Sequence, residues 1–283
     1  MSTATSITAG EINKLRQTTG AGMMDCRKAL VESDGDFEKA IDYLRKKGQK
    51  VAALRSDREA KEGVIIARTT TDHKTGFIIT LACETDFVSK NADFVAFAQS
   101  IMGAAIKQNV HSLQDLLQTK LEGVTVADKI NDQVAKIGEK IQLARFERID
   151  ADAVAAYIHG AHRMGVLVGL SKNNQAVLEA GRDLAMQIAA MNPVAIDPNS
   201  VPPEIVAREK AIFTEQIKND PKMAGKPDEM IDKIAAGKLN AYFKENTLLA
   251  QPFVKDASKT VGDYLKSVDP AAQATLFKRV QLG

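Results

Sequence analysis

The chain has 283 residues, 45% hydrophobic and 26% charged, and its 38 Lys and Arg against 36 Asp and Glu leave a net charge of +2. That length suits two or three packed units, and so even a charge balance argues against an electrostatic nucleic-acid binder. With 5% aromatic residues and no Trp a base-stacking platform is not expected, and no apolar stretch approaches the ~20 residues that span a bilayer.

The elements are predicted in chain order. Met1-Ser-Thr-Ala-Thr-Ser-Ile7 lacks the basic start and apolar run of a secretory leader. Thr8 and Glu11 have the spacing of a capping box at the start of a helix carrying Ile12 and Leu15, which Gly20-Ala21-Gly22 breaks. A second helix carries Met23, Cys26, Ala29 and Leu30. Asp34-Gly35 turns the chain, Asp36 caps a third helix lined by Phe37, Ala40, Ile41 and Leu44, and Gly48 is expected to end it. Three short helices make a marginal core, so this module is expected to sit on a larger body through a charged linker, Lys50 to Lys61.

From Gly63 the pattern turns strand-like, with Val64–Ala67 and Phe77–Ala82 joined by the polar turn Asp72-His-Lys-Thr-Gly76. Glu84-Thr-Asp86 stops the second strand abruptly, and Phe87 and Val88 follow just before Ser89-Lys-Asn91. A carboxylate beside a large aromatic on a strand-to-helix turn builds a poor core and suits a wedge pushed into another molecule; the competing reading folds Phe87 back as packing. Phe94, Phe97, Ala98, Ile101, Met102 and Ala105 form a helical stripe capped by Ser89 or Asn91, and Lys140–Ile149 reads as a strand.

The plan then repeats. Gly165-Val-Leu-Val-Gly-Leu170 resembles Gly76-Phe-Ile-Ile-Thr-Leu81, Ser171-Lys-Asn173 matches Ser89-Lys-Asn91, and a helix with Leu178, Leu184 and Ile188 follows. This suggests a duplicated strand–strand–helix unit in which Ala82–Val88 is an addition to the first copy alone. Pro202-Pro203 opens a helix through Ile205, Ile212 and Ile217, a breaker loop runs from Asp220-Pro221 to Lys226-Pro227, and Met230, Ile234, Leu239 and Phe243 mark a return helix. The result is an antiparallel hairpin projecting into solvent. A capped segment, Ser258–Lys266, and a strand-like end, Thr275–Leu282, close the chain.

Candidate chemistry is sparse. Cys26 and Cys83 are far apart, with no paired metal or redox spacing. His159 and His162 are the only close His pair, but the alternation after Arg163 suggests a strand or turn there and no Cys or carboxylate completes a zinc pattern. Neither a phosphate loop nor a dinucleotide turn is present. Met23 and Met24 cannot both face inward on one helix, so one is expected to be exposed and adaptable.

Four blocks carry a resemblance: Leu15-Arg16 with Thr19-Gly-Ala-Gly-Met-Met-Asp-Cys-Arg-Lys-Ala-Leu30; Cys83-Glu-Thr-Asp-Phe-Val88; Tyr157-Ile-His-Gly-Ala-His-Arg-Met-Gly-Val-Leu167; and Gln251-Pro-Phe-Val254 with Ser258-Lys-Thr-Val-Gly262. They are collinear over nearly the whole chain and resemble the bacterial translation elongation factor Ts family. The resemblance implies an α+β fold with a small N-terminal three-helix, ubiquitin-associated-like domain over residues 1–55. It further implies a duplicated core with antiparallel sheets, divided into 56–150 and 151–283. The second part includes the protruding antiparallel hairpin at about 197–248 and a short C-terminal module at about 256–283. It also implies a cytoplasmic guanine-nucleotide exchange factor that binds elongation factor Tu–GDP, displaces Mg²⁺ and promotes GDP release so that GTP can bind, with no covalent catalysis and no cofactor. Thr85, Asp86, Phe87 and Val88 are the implied Mg²⁺-dislodging segment, and Arg16, Met23 and Met24 the implied contacts to the partner's GTPase domain. The partner-facing histidine maps to His159, with His162 left open. Neither nucleic acid nor membrane is an expected partner, while the hairpin leaves room for a homodimer or a 2:2 complex. Two other readings differ in class: an adaptor binding ubiquitin-like or peptide partners through the N-terminal helices, and an enzyme using His159 and His162.

Overall fold

The computed structural model describes residues 7–223 and 227–283. The reading of Met1–Ser6 and the part of the breaker loop at 224–226 lie outside the described residues. Helix α1 (Ala9–Thr19) starts at its capping box, where Thr8 Oγ1 accepts from the Glu11 N–H at 3.2 Å and the Glu11 carboxylate accepts from the Thr8 N–H at 2.8 Å. Helix α2 (Met23–Glu32) and helix α3 (Phe37–Leu54, capped by Asp36) complete the module around Leu15, Cys26, Ala29, Leu30, Ala40 and Leu44.

Helix α3 does not stop at Gly48, as the sequence suggested, but runs on to Leu54. The glycine is there for packing. A Cβ on it would lie 2.9 Å from the Asn131 carbonyl and 3.2 Å from Ala135 Cβ, so its bare backbone lets α3 press against a later helix. The first residues of the expected linker are therefore helix, and the irregular stretch begins only at Arg55.

Strand β1 (Glu62–Thr69) pairs antiparallel with β2 (Thr75–Cys83). A single helical turn, α4 (Asp86–Ser89), leads to α5 (Ala92–Lys107), whose cap is Asn91 and not Ser89. Helix α6 (Leu113–Gln118) follows, then a two-residue ladder of β3 (Lys120–Leu121) and β4 (Val124–Thr125) that the sequence did not suggest, and then α7 (Val126–Ile137), the helix against which α3 packs. Strand β5 (Ile141–Asp150) returns to the free side of β2. The second half runs β6 (Ala153–His159), β7 (Met164–Leu170) and α8 (Gln175–Met191). The hairpin helices α9 (Pro203–Lys218) and α10 (Asp228–Asn246) come next. A small ladder of β8 (Pro252–Phe253) and β9 (Asp256–Thr260), helix α11 (Val261–Val268) and strand β10 (Ala274–Gln281) beside β7 finish the chain. Thr260, not Ser258, caps α11; Ser258 lies in β9.

The duplication is plain in the topology. The sheets have orders β1-β2-β5 and β10-β7-β6, each with its second strand at the centre and all pairs antiparallel. The ladder irregularity falls at Thr80/Leu81 in one copy and opposite Gly169/Leu170 in the other, the positions that the repeat equates. The addition in the first copy is narrower than expected, because Ala82 and Cys83 belong to the strand. Residues 84–91 connect β2 to α5, whereas 171–174 connect β7 to α8. The capping Asn of the second helix is Asn174, one residue beyond the apparent match.

Alternation along β2 explains the layering. Phe77, Ile79 and Leu81 face α5–α7, while Ile78 joins Ile65, Ile149, Val154, Leu167 and Val280 between the two sheets. Val166, Val168 and Leu170 face α8 and α11. The glycines of the repeat permit the close approach: a Cβ on Gly76 would lie 2.6 Å from Val154, and one on Gly165 2.7 Å from Ile65. The α9–α10 hairpin has its own small core of Ile217, Ile231 and Ala235 and joins the body at a neck where the Leu248 N–H donates to Ala195 O at 2.9 Å. Among the described residues no helix is long and apolar enough to cross a membrane.

Candidate functional site

The central strand β2 ends in Cys83, whose buried thiol donates to Thr85 O at 3.2 Å; burial pushes it up to about 12, with Glu139 and Glu62 adding to the effect. Such a thiol stays protonated and serves as packing.

The next two residues are anchored in different directions. Glu84 accepts from Arg55 at 3.1 Å, from Arg58 at 3.0 Å and from the Lys140 N–H. These partners, the Lys140 N–H foremost, hold its carboxyl below the usual range. Lys140 Nζ also donates to the carbonyls of Ser56 and Arg58 at 2.6 and 2.7 Å, which ties the irregular stretch after α3 to the same corner. Besides the Cys83 thiol on its carbonyl, Thr85 gives both of its own donors to one side chain. Its N–H donates to Glu139 Oε2 at 3.0 Å and its hydroxyl donates to Glu139 Oε1 at 2.7 Å, so both carboxylate oxygens are engaged.

Above these anchors sits α4. Lys90 pairs with Asp86 at 2.6 Å and keeps its carboxyl below the ordinary range, and Ser89 Oγ donates to Asp86 O at 3.1 Å. Val88 packs on the core of the first sheet. Phe87 points the other way and is 84% exposed. A fully formed helical turn thus presents a bare aromatic ring to solvent. It borders a recess lined by Val88, Phe94, Gln133, Lys136 and Ile137.

Lys136 links this recess to the N-terminal module, since its Cδ lies 3.3 Å from where a Cβ on Gly20 would stand. Beyond that turn Met23 and Met24 are both exposed, at 56% and 70%, where the sequence required only one to be. They occupy the first turn of α2, and the inward positions of that helix belong to Cys26, Ala29 and Leu30. Arg16 is exposed in the last turn of α1.

The histidines part company. His159 is exposed at the end of β6, with Nδ1 3.0 Å from Tyr157 Oη. His162 is built into the structure: its Nδ1 lies 3.2 Å from Ile65 O, and its own carbonyl accepts from the Ile65 N–H at 2.8 Å. Because Ile65 O can only accept, Nδ1 carries the proton. This fixes a turn in which Gly160, Ala161 and His162 all have positive φ. Arg163 in the same turn pairs with Glu62 at 2.7 Å, and Glu62 is the β-partner of Cys83. The turn after His159 therefore lies at the end of the first sheet from which Phe87 projects. No cluster of three or more His, Cys, Asp or Glu able to hold a metal occurs among the described residues.

The sequence reading missed Glu139, Lys136 and Lys140. Gly138 was the signal available: at φ 79 it closes α7 in the left-handed conformation and sets the next two residues against Glu84 and Thr85.

The family described as elongation factor Ts matches residues 84–283. The elongation factor Ts of Christiangramia forsetii is 47% identical over 277 residues, 98% of this chain and 99% of that one. The corresponding protein of Flavobacterium psychrophilum is 46% identical over 277 residues, and that of Amoebophilus asiaticus 48% over 278, each with 98% of this chain and 99% of the relative covered.

Proposed function

The chain belongs to the elongation factor Ts family, and we propose that it acts as a guanine-nucleotide exchange factor on elongation factor Tu, opening the Mg²⁺–GDP site by inserting Phe87. The observation that carries this reading is the exposed Phe87 ring on a helical turn anchored from below by Glu84 and Thr85.

A bound nucleoside diphosphate is held by backbone N–H groups of a phosphate loop, by the loop lysine and by Mg²⁺. The ion demands near-ideal octahedral geometry, so small displacements of its ligands and waters weaken it sharply. Phe87 supplies the driving force. Removing such a ring from water returns about 1.5–3 kcal/mol, which offsets distortion of the partner. Asp86 follows the ring into the site and brings a carboxylate towards the waters around the ion. Val88 and Thr85 keep the turn in place, while Met23, Met24, Arg16 and His159 grip the partner around the wedge. The two adjacent Met side chains suit this task because an unbranched thioether adapts to an irregular surface. The protruding hairpin offers a further contact, either to the partner or to a second copy of the chain.

No bond is made or broken. Factor and nucleotide oppose each other through one coupling free energy, so rebinding of nucleotide expels the factor by the same factor in affinity. The test is release of fluorescent GDP from elongation factor Tu at micromolar free Mg²⁺, with and without this protein. Acceleration that weakens as free Mg²⁺ rises is expected; an unchanged release rate would contradict the proposal.

A further inference from the structure

Phe87 can distort a partner only if the turn carrying it does not yield first. The chain lays that turn on two supports. Glu84 reaches Arg55, Arg58 and the Lys140 N–H on one side. Thr85, the residue that opens α4, has no side-chain cap bond within its own helix. Its N–H and hydroxyl are both taken by Glu139, from a segment 54 residues further on. A carboxylate accepting two hydrogen bonds at 2.7 and 3.0 Å from one residue fixes that residue's position and the rotation of its side chain.

Glu139 can do this because of where α7 ends. Gly138 turns the chain in the left-handed conformation immediately before it, and the Ile141 end of β5 pairs with Cys83 immediately after. The carboxylate is thereby held between a packed helix and the central sheet. Its base is also the base of the recess, since α7 contributes Gln133, Lys136 and Ile137 beside Phe87.

We propose that Glu139 is a positioning residue for nucleotide exchange, which locks Thr85 so that the force of Phe87 insertion is delivered to the partner and not spent in moving the turn. It touches neither partner nor nucleotide, and acts through Thr85. The inference rests on the reading of Phe87 as the wedge.

Two readouts separate the inference from that reading. The chain has no Trp, so Phe87→Trp places the only indole of the protein on the wedge. In that background Glu139→Ala should lower the steady-state fluorescence anisotropy of the free protein, with no partner involved, and Glu139→Gln, which keeps one carbonyl acceptor, should lower it less. In exchange, Glu139→Ala in the otherwise unaltered chain should reduce the maximal rate of GDP release about tenfold, the size that loss of a charge-assisted hydrogen-bond pair allows. The half-saturating concentration should change little, because the Met23–Met24 surface is intact. Adding Thr85→Ala to Glu139→Ala should cost less than the two single effects combined. Unchanged anisotropy overturns the inference, and so does a Glu139→Ala protein that matches the wild type in maximal rate. A wild-type protein without effect on GDP release overturns the functional reading, and the inference with it.

Discussion

Phe87 and Val88 are neighbours with opposite fates, one bare and one packed on the core. A Phe after Thr-Asp leaves an exposed ring and a folded-back one both open, and it was the interrupted repeat and the family resemblance that favoured an exposed Phe87, as the structure has it. The turn that carries both residues is tied down by contacts distant in the chain, those of Thr85 with Glu139 among them, and no local pattern encodes these. The Met pair behaved similarly: the helical period demanded one outward side chain, and the first turn of α2 leaves both outside. The thiol beside the wedge gives a prediction at this scale. Cys83 has its ordinary value of 9.0 raised to about 12, so the folded state keeps its proton longer than the unfolded chain. Its contribution to stability is complete below about pH 9 and is lost as pH rises towards 12. Thermal melting should accordingly shift down over that interval, and Cys83→Ser should flatten the shift. At pH 8 a thiol reagent should leave both buried cysteines of the native protein untouched and modify both after unfolding.

Among the elements, caps and strands were the most legible, because Thr8–Glu11, Asp36 and the alternating apolar runs act locally. Gly48 was misread as a stop because helix-breaking and helix-packing glycines look alike until the neighbour is known. Its true role predicts that Gly48→Val forces α3 away from Asn131 and Ala135 at a cost of about 1–3 kcal/mol. Limited proteolysis should then find faster cleavage at residues 55–61, and, on the proposed role of Met23 and Met24, exchange should need more factor to saturate because their module is no longer docked on α7. The hairpin is the opposite case. Its core is its own and its neck is closed by Ala195 and Thr247. Replacing residues 203–243 with a short Gly-Ser link should leave one cooperative melting transition close to that of the whole chain, with only the helical circular dichroism reduced. A broad, non-cooperative transition would show that the hairpin holds the body together.

At the scale of the molecule, the duplicated sheets share one core between them, and what distinguishes the first copy is the longer connection between its central strand and its helix. That difference was visible as an interrupted repeat, although its limits were not, since strand and connection share an apolar boundary at Ala82 and Cys83. The contacts that bring Lys136 beside both Gly20 and the Phe87 recess, and the turn after His159 to the Cys83 end of the first sheet, were not visible at all. They depend on α3 lying on α7 and on the His162–Ile65 bonds between the sheets. The same docking weighs against reading the N-terminal helices as a free-standing adaptor, because α3 packs on α7 and Gly20 abuts Lys136. Division of the chain near residues 55 and 150 is our proposal for its units. The central claim is that Phe87 acts as a wedge on a stable scaffold, and stopped-flow release of fluorescent GDP from elongation factor Tu tests it most directly with saturating wild-type and Phe87→Ala proteins. Loss of the inserting ring should slow the saturated rate by about 10- to 100-fold with an unchanged melting temperature, whereas equal saturated rates would contradict the account.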